Sequence, residues 1–210
     1  MRRGGLALIV LISTLAIAAP AGAACGGVQR FAAQRHRAPG PPPLAVGDSV
    51  MLGAAEELAA AGFDVDTRGC RQMGEGLGVL AARGGSLPRL VVMALGDNWV
   101  IETSQIRQAL RILGPGRVLA LVTPRTGGSD IDTIRAAGRR WPARVKVLDW
   151  VGYSAGHADW FYGDGLHLAP GGQHGFARLL SRAFAFARPL EARLTRVAPT
   201  AAVERFEAEP

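Results

Sequence analysis

Short apolar runs alternate with helix-like segments from Leu44 onward, and this alternation restricts the possible folds more than any other pattern in the sequence. The strand-like runs are 44–48, 63–67, 89–95, 117–123 and 145–150. The helix-like segments between them are about 51–61, 73–83, 103–113 and 130–140, and a further helix follows Pro170. Strands that alternate with helices over short connections form parallel sheets with right-handed crossovers. We therefore predict an α/β protein, a three-layer α/β/α sandwich around a parallel sheet of about five strands.

Functional residues in such a sheet lie beyond the carboxyl ends of the strands. The predicted strands 89–95 and 117–123 are nearly all apolar, which is typical of strands that helices cover on both faces. The residues that follow the five strands are Asp48 and Ser49; Arg68, Gly69, Cys70 and Arg71; Gly96, Asp97 and Asn98; Thr123, Pro124 and Arg125; and the segment 157–172. The candidate site residues therefore come from this set.

Ser49 lies between the first strand and the helix that follows it, and two interpretations of it are open. Aspartate and serine are preferred N-caps, so Asp48 and Ser49 could serve only to begin the helix. Alternatively, Ser49 is a nucleophile, because the free N–H groups and the positive dipole end of a helix N-terminus suit the oxyanion that such a reaction forms. A nucleophilic serine also needs a base to take its proton.

The motif "DGLH" offers a base and a group to orient it. Asp164 and His167 are three residues apart, which on a helical turn places both side chains on one face. There the carboxylate can hold one imidazole nitrogen and leave the other for Ser49, as in a Ser-His-Asp triad. The alternative is a solvated loop with an incidental histidine. No metal site is predicted, because one Asp and one His are too few ligands and the neighbouring histidines lack zinc-type spacing.

Candidate oxyanion donors follow the third and second strands. "LGDN" places the Asn98 amide at the same sheet edge, and Gly69 or Cys70 could lend a backbone N–H. Each also has an ordinary interpretation, as a turn or cap asparagine and as a tight turn at glycine. We favour the catalytic interpretation because chance would have to bring four such features to one edge of one sheet.

These motifs together resemble the SGNH hydrolase superfamily, also called GDSL-like esterases and lipases. The resemblance covers about residues 44–188, with "GDSV" as the block that carries Ser49, "GDN" as the Gly-x-Asn block and "DGLH" as the Asp-x-x-His block. "VDTRGCRQ" matches the region that supplies the glycine block. The stretches "VGDSVMLGA", "LGDNWVI", "VLDW" and "HADWFYGDGLHLAPGG" are similar to the extracytoplasmic SGNH domains associated with bacterial membrane acyltransferases.

The resemblance implies a flavodoxin-like SGNH fold and a role for each residue. Ser49 would be the nucleophile, His167 its base and Asp164 the group that orients the base. The oxyanion hole would consist of the Ser49 and Cys70 N–H groups and the Asn98 side chain. Gly69 is the alternative to Cys70, which is preferred because it stands immediately before "RQ". No cofactor is implied.

The implied function is that of an extracytoplasmic serine acyl-esterase or O-acyltransferase acting on short acyl esters, commonly acetyl, of cell-envelope glycans. The implied partners are an acylated glycan or small ester as substrate and a membrane acyltransferase. The alternative is a catalytically silent SGNH-like domain that binds envelope components. Hydrolysis and transfer would use the same residues, so the sequence leaves that choice open, together with the acyl group and the acceptor. Arg71, Gln72 and Trp99 flank the expected crevice, where they either shape it or only pack.

The N-terminus predicts export. "MRR" precedes a long apolar run that ends in small residues, which is the pattern of a secretory signal. The run also has about the length of a bilayer span, so a retained anchor is a second interpretation, and lipidation of Cys25 is a third. All three place the rest of the chain in the periplasm or outside the cell, with membrane contact only through this segment. The expected domains are 1–25 (signal peptide or anchor), 26–43 (Pro-rich linker), 44–190 (hydrolase-like domain) and 191–210 (C-terminal tail).

The two cysteines, Cys25 and Cys70, could pair in an oxidising compartment, but their spacing does not decide whether they do. The formal net charge of +7 does not indicate nucleic-acid binding, because no basic run is interleaved with aromatic residues. The Gly-rich stretch "GLGVLAARGG" does not indicate a nucleotide site, because it lies in a helix-like segment and no P-loop lysine follows.

Overall fold

A computed structural model of the chain describes residues 25–37 and 40–187. The predicted export segment, apart from Cys25, and the predicted tail lie outside the described residues. The strands are β1 (Gln29–Phe31), β2 (Leu44–Gly47), β3 (Asp64–Thr67), β4 (Leu90–Ala94), β5 (Val118–Val122) and β6 (Val145–Leu148). The helices are α1 (Ser49–Gly53), α2 (Ala55–Ala61), α3 (Met73–Arg83), α4 (Thr103–Leu113), α5 (Gly128–Arg140), α6 (Trp150–Tyr153), α7 (Pro170–Ser181) and α8 (Phe184–Ala187). Short 3₁₀ turns occupy Gly84–Ser86 and Ala158–Trp160.

The sheet has the order β1-β3-β2-β4-β5-β6. Strands β2 to β6 are mutually parallel, and β1 is antiparallel to β3. The predicted α/β class and its parallel sheet are therefore confirmed, with one strand more than the five expected. Strand β3 lies next to β2 on one side in the sheet, and β4 lies next to β2 on the opposite side. The strand order therefore reverses at β2. In open α/β sheets this reversal creates a crevice beyond the carboxyl end of the strand.

The expectation of a simple linker over 26–43 is wrong for its first part. Gln29, Arg30 and Phe31 pair with Thr67, Asp66 and Val65 of β3. A three-residue edge strand has too few residues to show a period in the sequence, and its neighbour β3 supplies the hydrogen bonds that order it. The proline-rich end, close to Leu44, forms no strand or helix in its described residues.

Helices cover both faces of the sheet, which makes three layers. Neighbouring residues of one strand point to opposite faces, so Ala45 and Val46 join different apolar clusters. The Ala45 cluster includes residues of α1, α2 and α7, whereas the Val46 cluster includes residues of α3, α4 and α5. The predicted helix over 51–61 starts earlier and divides at Ala54 into α1 and α2. Among residues 25–37 and 40–187, no helix is long and apolar enough to cross a membrane.

Candidate active site

Ser49 is the first residue of α1, directly beyond the end of β2. The cap of this helix is Asp48, whose carboxylate accepts the Val50 N–H at 3.0 Å. The Thr67 hydroxyl donates to the Asp48 carbonyl at 2.7 Å and so ties this corner to the neighbouring strand β3. The Ser49 hydroxyl is therefore not needed for capping, and its backbone N–H lies in the first turn, where helices leave such groups without an intrahelical acceptor.

His167 and Asp164 extend from Ser49 as a chain of hydrogen bonds. The Ser49 Oγ lies 3.0 Å from His167 Nε2, and His167 Nδ1 lies 2.6 Å from Asp164 Oδ2. The other carboxylate oxygen of Asp164 accepts the backbone N–H groups of Leu166 and His167 at 2.9 Å and 3.0 Å. The sequence predicted this juxtaposition but placed the pair on a helical turn. The structure instead has a loop between Phe161 and Leu168, which form an isolated antiparallel bridge.

Hydrogen bonding lowers the pKa of Asp164 to about 2, chiefly through the His167 side chain and further through the Leu166 and His167 N–H groups. An ionised carboxylate can only accept, so His167 Nδ1 is the donor of the 2.6 Å bond. In a neutral imidazole this leaves Nε2 as an acceptor that faces the Ser49 hydroxyl. The arrangement therefore holds the histidine in the tautomer that can take a proton from serine.

Arg125 holds the loop that carries His167, a role that its place at the end of a strand did not predict. Its Nε donates to the Gly165 carbonyl at 2.6 Å, and its Nη1 donates to the Ser154 hydroxyl at 3.2 Å. The guanidinium also stacks 3.7 Å from the centre of the Phe161 ring. A cation and an aromatic ring far apart in the chain give no signal in one sequence that they will stack, so this support was not predictable.

Asn98 lies beside the corner formed by Asp48 and Ser49. Its Nδ2 donates to Asp48 Oδ2 at 3.1 Å, which links the loop after β4 to the end of β2. An amide nitrogen carries two hydrogens, so one is free for another acceptor. Asp48 is only 1% exposed. Burial, assisted by the negative charge of Asp97, raises the pKa of Asp48 to about 7 against the lowering effect of its hydrogen bonds from Val50 and Asn98.

Cys70 forms a disulfide with Cys25, with Cα atoms 5.2 Å apart. Cys70 is also the one non-glycine residue with positive φ, at 55°, within the described part of the chain. A Cβ on Gly69 would lie 2.6 Å from the Cys25 carbonyl oxygen, so only glycine fits beneath that carbonyl. The N–H groups of Gly69 and Cys70 both lack an acceptor among the described residues. Gly69 is buried, whereas Cys70 is partly exposed.

The three residues that flank the expected crevice differ in role. Arg71 is 2% exposed and donates to Asp66 Oδ1 at 2.7 Å and to the Asp66 and Gly47 carbonyls, so it packs the turn from inside. Gln72 begins α3 in a capping box with Glu75. Trp99, by contrast, is exposed. No group of three or more His, Cys, Asp or Glu side chains in the described residues could hold a metal ion.

Comparison with known proteins supports the predicted resemblance. No protein-family model matches the chain. The Bacillus subtilis protein named "Putative peptidoglycan O-acetyltransferase YrhL" is 28% identical over 146 residues, which is 67% of this chain and 23% of that protein. The chain thus spans about a quarter of the length of the curated relatives it matches.

Two solved structures share the fold. The C-terminal catalytic domain of Streptococcus pneumoniae peptidoglycan O-acetyltransferase A has a TM-score of 0.57 and 21% identity, and the alignment covers 74% of this chain and 96% of that domain. A family 3 carbohydrate esterase of Clostridium thermocellum has a TM-score of 0.52 and 14% identity, with 70% and 97% covered. The predicted resemblance to SGNH domains of bacterial acyltransferases is therefore confirmed at the level of the fold.

Proposed function

We propose that this chain is an extracytoplasmic serine esterase or O-acyltransferase that acts on short acyl esters of cell-envelope glycans. The observation that carries the proposal is the continuous hydrogen-bond chain from Ser49 Oγ through the His167 ring to Asp164, with bonds of 3.0 Å and 2.6 Å. The chain's relatives support the reaction class, since they are named as an O-acetyltransferase and a carbohydrate esterase.

The proposed reaction begins when His167 Nε2 takes the proton of Ser49 and the Ser49 Oγ attacks the ester carbonyl. The tetrahedral oxyanion accepts hydrogen bonds from the Ser49 and Cys70 N–H groups and from Asn98 Nδ2. The intermediate collapses, His167 returns the proton to the leaving alcohol, and the acyl group remains on Ser49. His167 then deprotonates water or a sugar hydroxyl, which attacks the acyl-serine and regenerates the free enzyme.

We further propose Cys70, rather than Gly69, as the second backbone donor. Gly69 is buried beneath the Cys25 carbonyl, whereas Cys70 is partly exposed at the start of the loop that leads to α3. Both N–H groups lack another acceptor in the described residues, so accessibility is what distinguishes the two. A backbone donor can belong to any residue type except proline, so the cysteine is chemically acceptable here.

An extracytoplasmic location is supported by the Cys25–Cys70 disulfide, because disulfides persist mainly in oxidising compartments. The disulfide also argues against the lipoprotein interpretation, since a sulfur atom bonded to Cys70 cannot carry a lipid. We therefore propose that the N-terminal segment is either a cleaved signal or a retained anchor. A membrane acyltransferase that supplies the acyl group is a proposed partner.

Replacement of the nucleophile tests the proposal. We expect Ser49→Ala to abolish hydrolysis of p-nitrophenyl acetate and labelling by a fluorophosphonate probe, while the circular dichroism spectrum stays unchanged. Ser86→Ala is the matched control, because Ser86 is exposed and lies before β4, away from the carboxyl ends of the strands. Turnover that persists in Ser49→Ala would overturn the assignment. Absence of labelling in the parent protein would favour the silent binding domain instead.

A further inference from the structure

Large exposed hydrophobic side chains are concentrated at the candidate active site. Within the described residues there are four of them: Val28, Trp99, Val100 and Tyr162. Trp99 and Val100 directly follow Asn98, and Tyr162 is in the loop that carries Asp164 and His167. Exposed apolar groups that cluster on one surface mark binding sites, whereas single ones are ordinary.

The loop after β4 is fixed at both ends and presents Trp99 outward. At one end Asn98 donates to Asp48 at 3.1 Å. At the other end Ile101 is buried, and its N–H donates to Asp130 Oδ1 at 2.9 Å. Trp99 is 67% exposed between these two anchors. A held backbone with a free ring costs little further ordering when a ligand binds.

The backbone of Tyr162 is tied into the loop that carries Asp164 and His167. Its N–H donates to the His167 carbonyl at 2.8 Å, and its own carbonyl accepts the Gly165 N–H at 2.8 Å. The side chain is nevertheless 56% exposed. The backbone of Tyr162 is thus part of the loop that holds the histidine, while its ring is available to a ligand.

Neither ring has a partner in the described part of the chain. The side chains of Trp99 and Tyr162 make no hydrogen bond, ring contact or cation–π contact there. Other large aromatics do have partners: Trp150 packs against Trp160 and Phe176, and Trp141 lies beneath Arg140. More than half of the surface of Trp99 and of Tyr162 is therefore left for a ligand.

We propose that Trp99 and Tyr162 form a sugar-binding rim, on which pyranose rings of the glycan stack while its ester or hydroxyl group reaches Ser49. This inference rests on the proposed function and specifies how its substrate is held. When an ester carbonyl lies at Ser49 Oγ, the rest of the substrate must extend over the neighbouring loops, and these two rings stand on them. The apolar C–H face of a sugar packs on an aromatic ring, while the indole N–H and the phenol O–H can bond its hydroxyls.

The test compares a substrate that reaches the rim with one that does not. O-acetylated chito-oligosaccharide offers pyranose rings that can stack on Trp99 and Tyr162, whereas p-nitrophenyl acetate offers an acetyl group without a sugar. For Trp99→Ala we expect the KM for the oligosaccharide to rise about tenfold. In the double variant with Tyr162→Ala, the KM should rise further. The kinetic constants for p-nitrophenyl acetate should stay within about twofold of the parent, because stacking contributes nothing to that substrate. Trp99→Phe should restore most of the affinity.

Val28→Ala is the matched control, because Val28 is equally an exposed hydrophobic residue but lies next to the edge strand β1. We expect no change there with either substrate. Binding of the oligosaccharide to Ser49→Ala, measured by calorimetry, gives a readout that does not depend on turnover. Adding Trp99→Ala to that variant should weaken the binding.

Two outcomes would overturn the proposal of a sugar-binding rim. If Trp99→Ala lowers kcat/KM equally for both substrates, Trp99 only supports the Asn98 loop. If the KM for the oligosaccharide is unchanged, the glycan binds elsewhere. Failure of the proposed function has a different signature, namely that Ser49→Ala retains turnover of p-nitrophenyl acetate whatever the rim variants do.

Discussion

Asp48 caps a helix and holds a neighbouring loop, but its burial disfavours the ionised carboxylate. It caps α1 and orients Asn98, yet burial raises its pKa from 3.8 to about 7. A carboxyl group that binds its proton more tightly in the folded state stabilises the fold fully below about pH 4. That contribution is lost as the pH rises through 7. Raising the pH from 4 to above 7 therefore removes stability that the protonated Asp48 contributed, although the residue still holds the Asn98 amide in place.

We expect Asp48→Asn to separate these two effects. Asparagine caps helices as well as aspartate does, so the helix should persist. The loss of unfolding free energy between pH 4 and pH 8 that Asp48 causes, up to about 4 kcal/mol, should disappear. The kcat for p-nitrophenyl acetate should fall, because Val50 and Asn98 donate to different oxygens of Asp48 and asparagine keeps only one of them; if that oxygen accepts from Val50, the NH2 of the new asparagine faces the NH2 of Asn98. Urea unfolding at several pH values and steady-state kinetics measure the two changes.

Asp97→Asn is the control for this prediction. Asp97 contributes to the raised pKa of Asp48 through its negative charge, so its removal should move the decline in stability to lower pH without abolishing it. An Asp48→Asn variant whose unfolding free energy keeps the parent's pH dependence would show that another group is responsible.

At the scale of elements, β1 and the Cys25–Cys70 disulfide form a strap across the turn that holds the proposed oxyanion donor. The disulfide joins positions 45 residues apart in sequence, and β1 adds an antiparallel pairing with β3. The carbonyl of Cys25 lies directly over Gly69, and Cys70 is held at a φ of 55° that non-glycine residues rarely adopt. The disulfide and the pairing of β1 with β3 therefore restrict the backbone conformations open to the turn at Gly69 and Cys70.

We expect Cys25→Ser to lower both stability and turnover. Loss of a cross-link that closes a loop of this length removes up to about 4 kcal/mol from the unfolding free energy. The kcat should fall at temperatures where the protein is still folded, because Cys70 can then leave the conformation that presents its N–H to the proposed oxyanion hole. Urea unfolding and p-nitrophenyl acetate kinetics give the two values. A reducing agent should lower the unfolding free energy and the kcat of the parent protein to the values of Cys25→Ser, and it should change neither value in the variant. If the reduced parent and the variant differ, the disulfide does not hold the turn in the way proposed.

At the scale of the whole molecule, the site is open to solvent. It lies at the rim of the sheet where the strand order reverses, and the side chains of His167 and Asp164 are 44% and 50% exposed. In the proposed reaction, water can therefore reach the acyl group on Ser49. Transfer to a sugar hydroxyl requires an acceptor that occupies this space and displaces the water.

We expect the isolated protein to hydrolyse p-nitrophenyl acetate when no acceptor is present, and to form acetylated sugar as chito-oligosaccharide is added. Mass spectrometry of the products measures the ratio of acetylated sugar to free acetate, which should rise with acceptor concentration. Ser49→Ala should form neither product. A ratio that stays at zero at saturating acceptor would assign the protein to hydrolysis alone.

Much of this organisation was predictable from local pattern. Strands β2, β4 and β5 are short apolar runs, and β3 and β6 are short strand-like segments between helices. Parallel strands bring their carboxyl ends to one edge of the sheet, so Ser49, Asn98 and His167 were expected to meet there. The edge strand β1 was not predictable, because three residues are too few to show the alternation of a strand. Their strand conformation depends on hydrogen bonds to β3. The packing of Arg125 on Phe161 was hidden for a similar reason, since the two residues are distant in the chain.

The α/β class, the parallel direction of β2 to β6 and the residues at the ends of these strands follow from the sequence alone, because periodicity and turn chemistry are local properties. Other features depend on the packed fold: Asp48 rather than Ser49 caps the helix, Asp48 holds Asn98, Cys25 pairs with Cys70, and Trp99 and Tyr162 stay exposed. Such contacts join segments tens of residues apart, and their existence depends on how the layers pack. No pattern within a single segment contains that information.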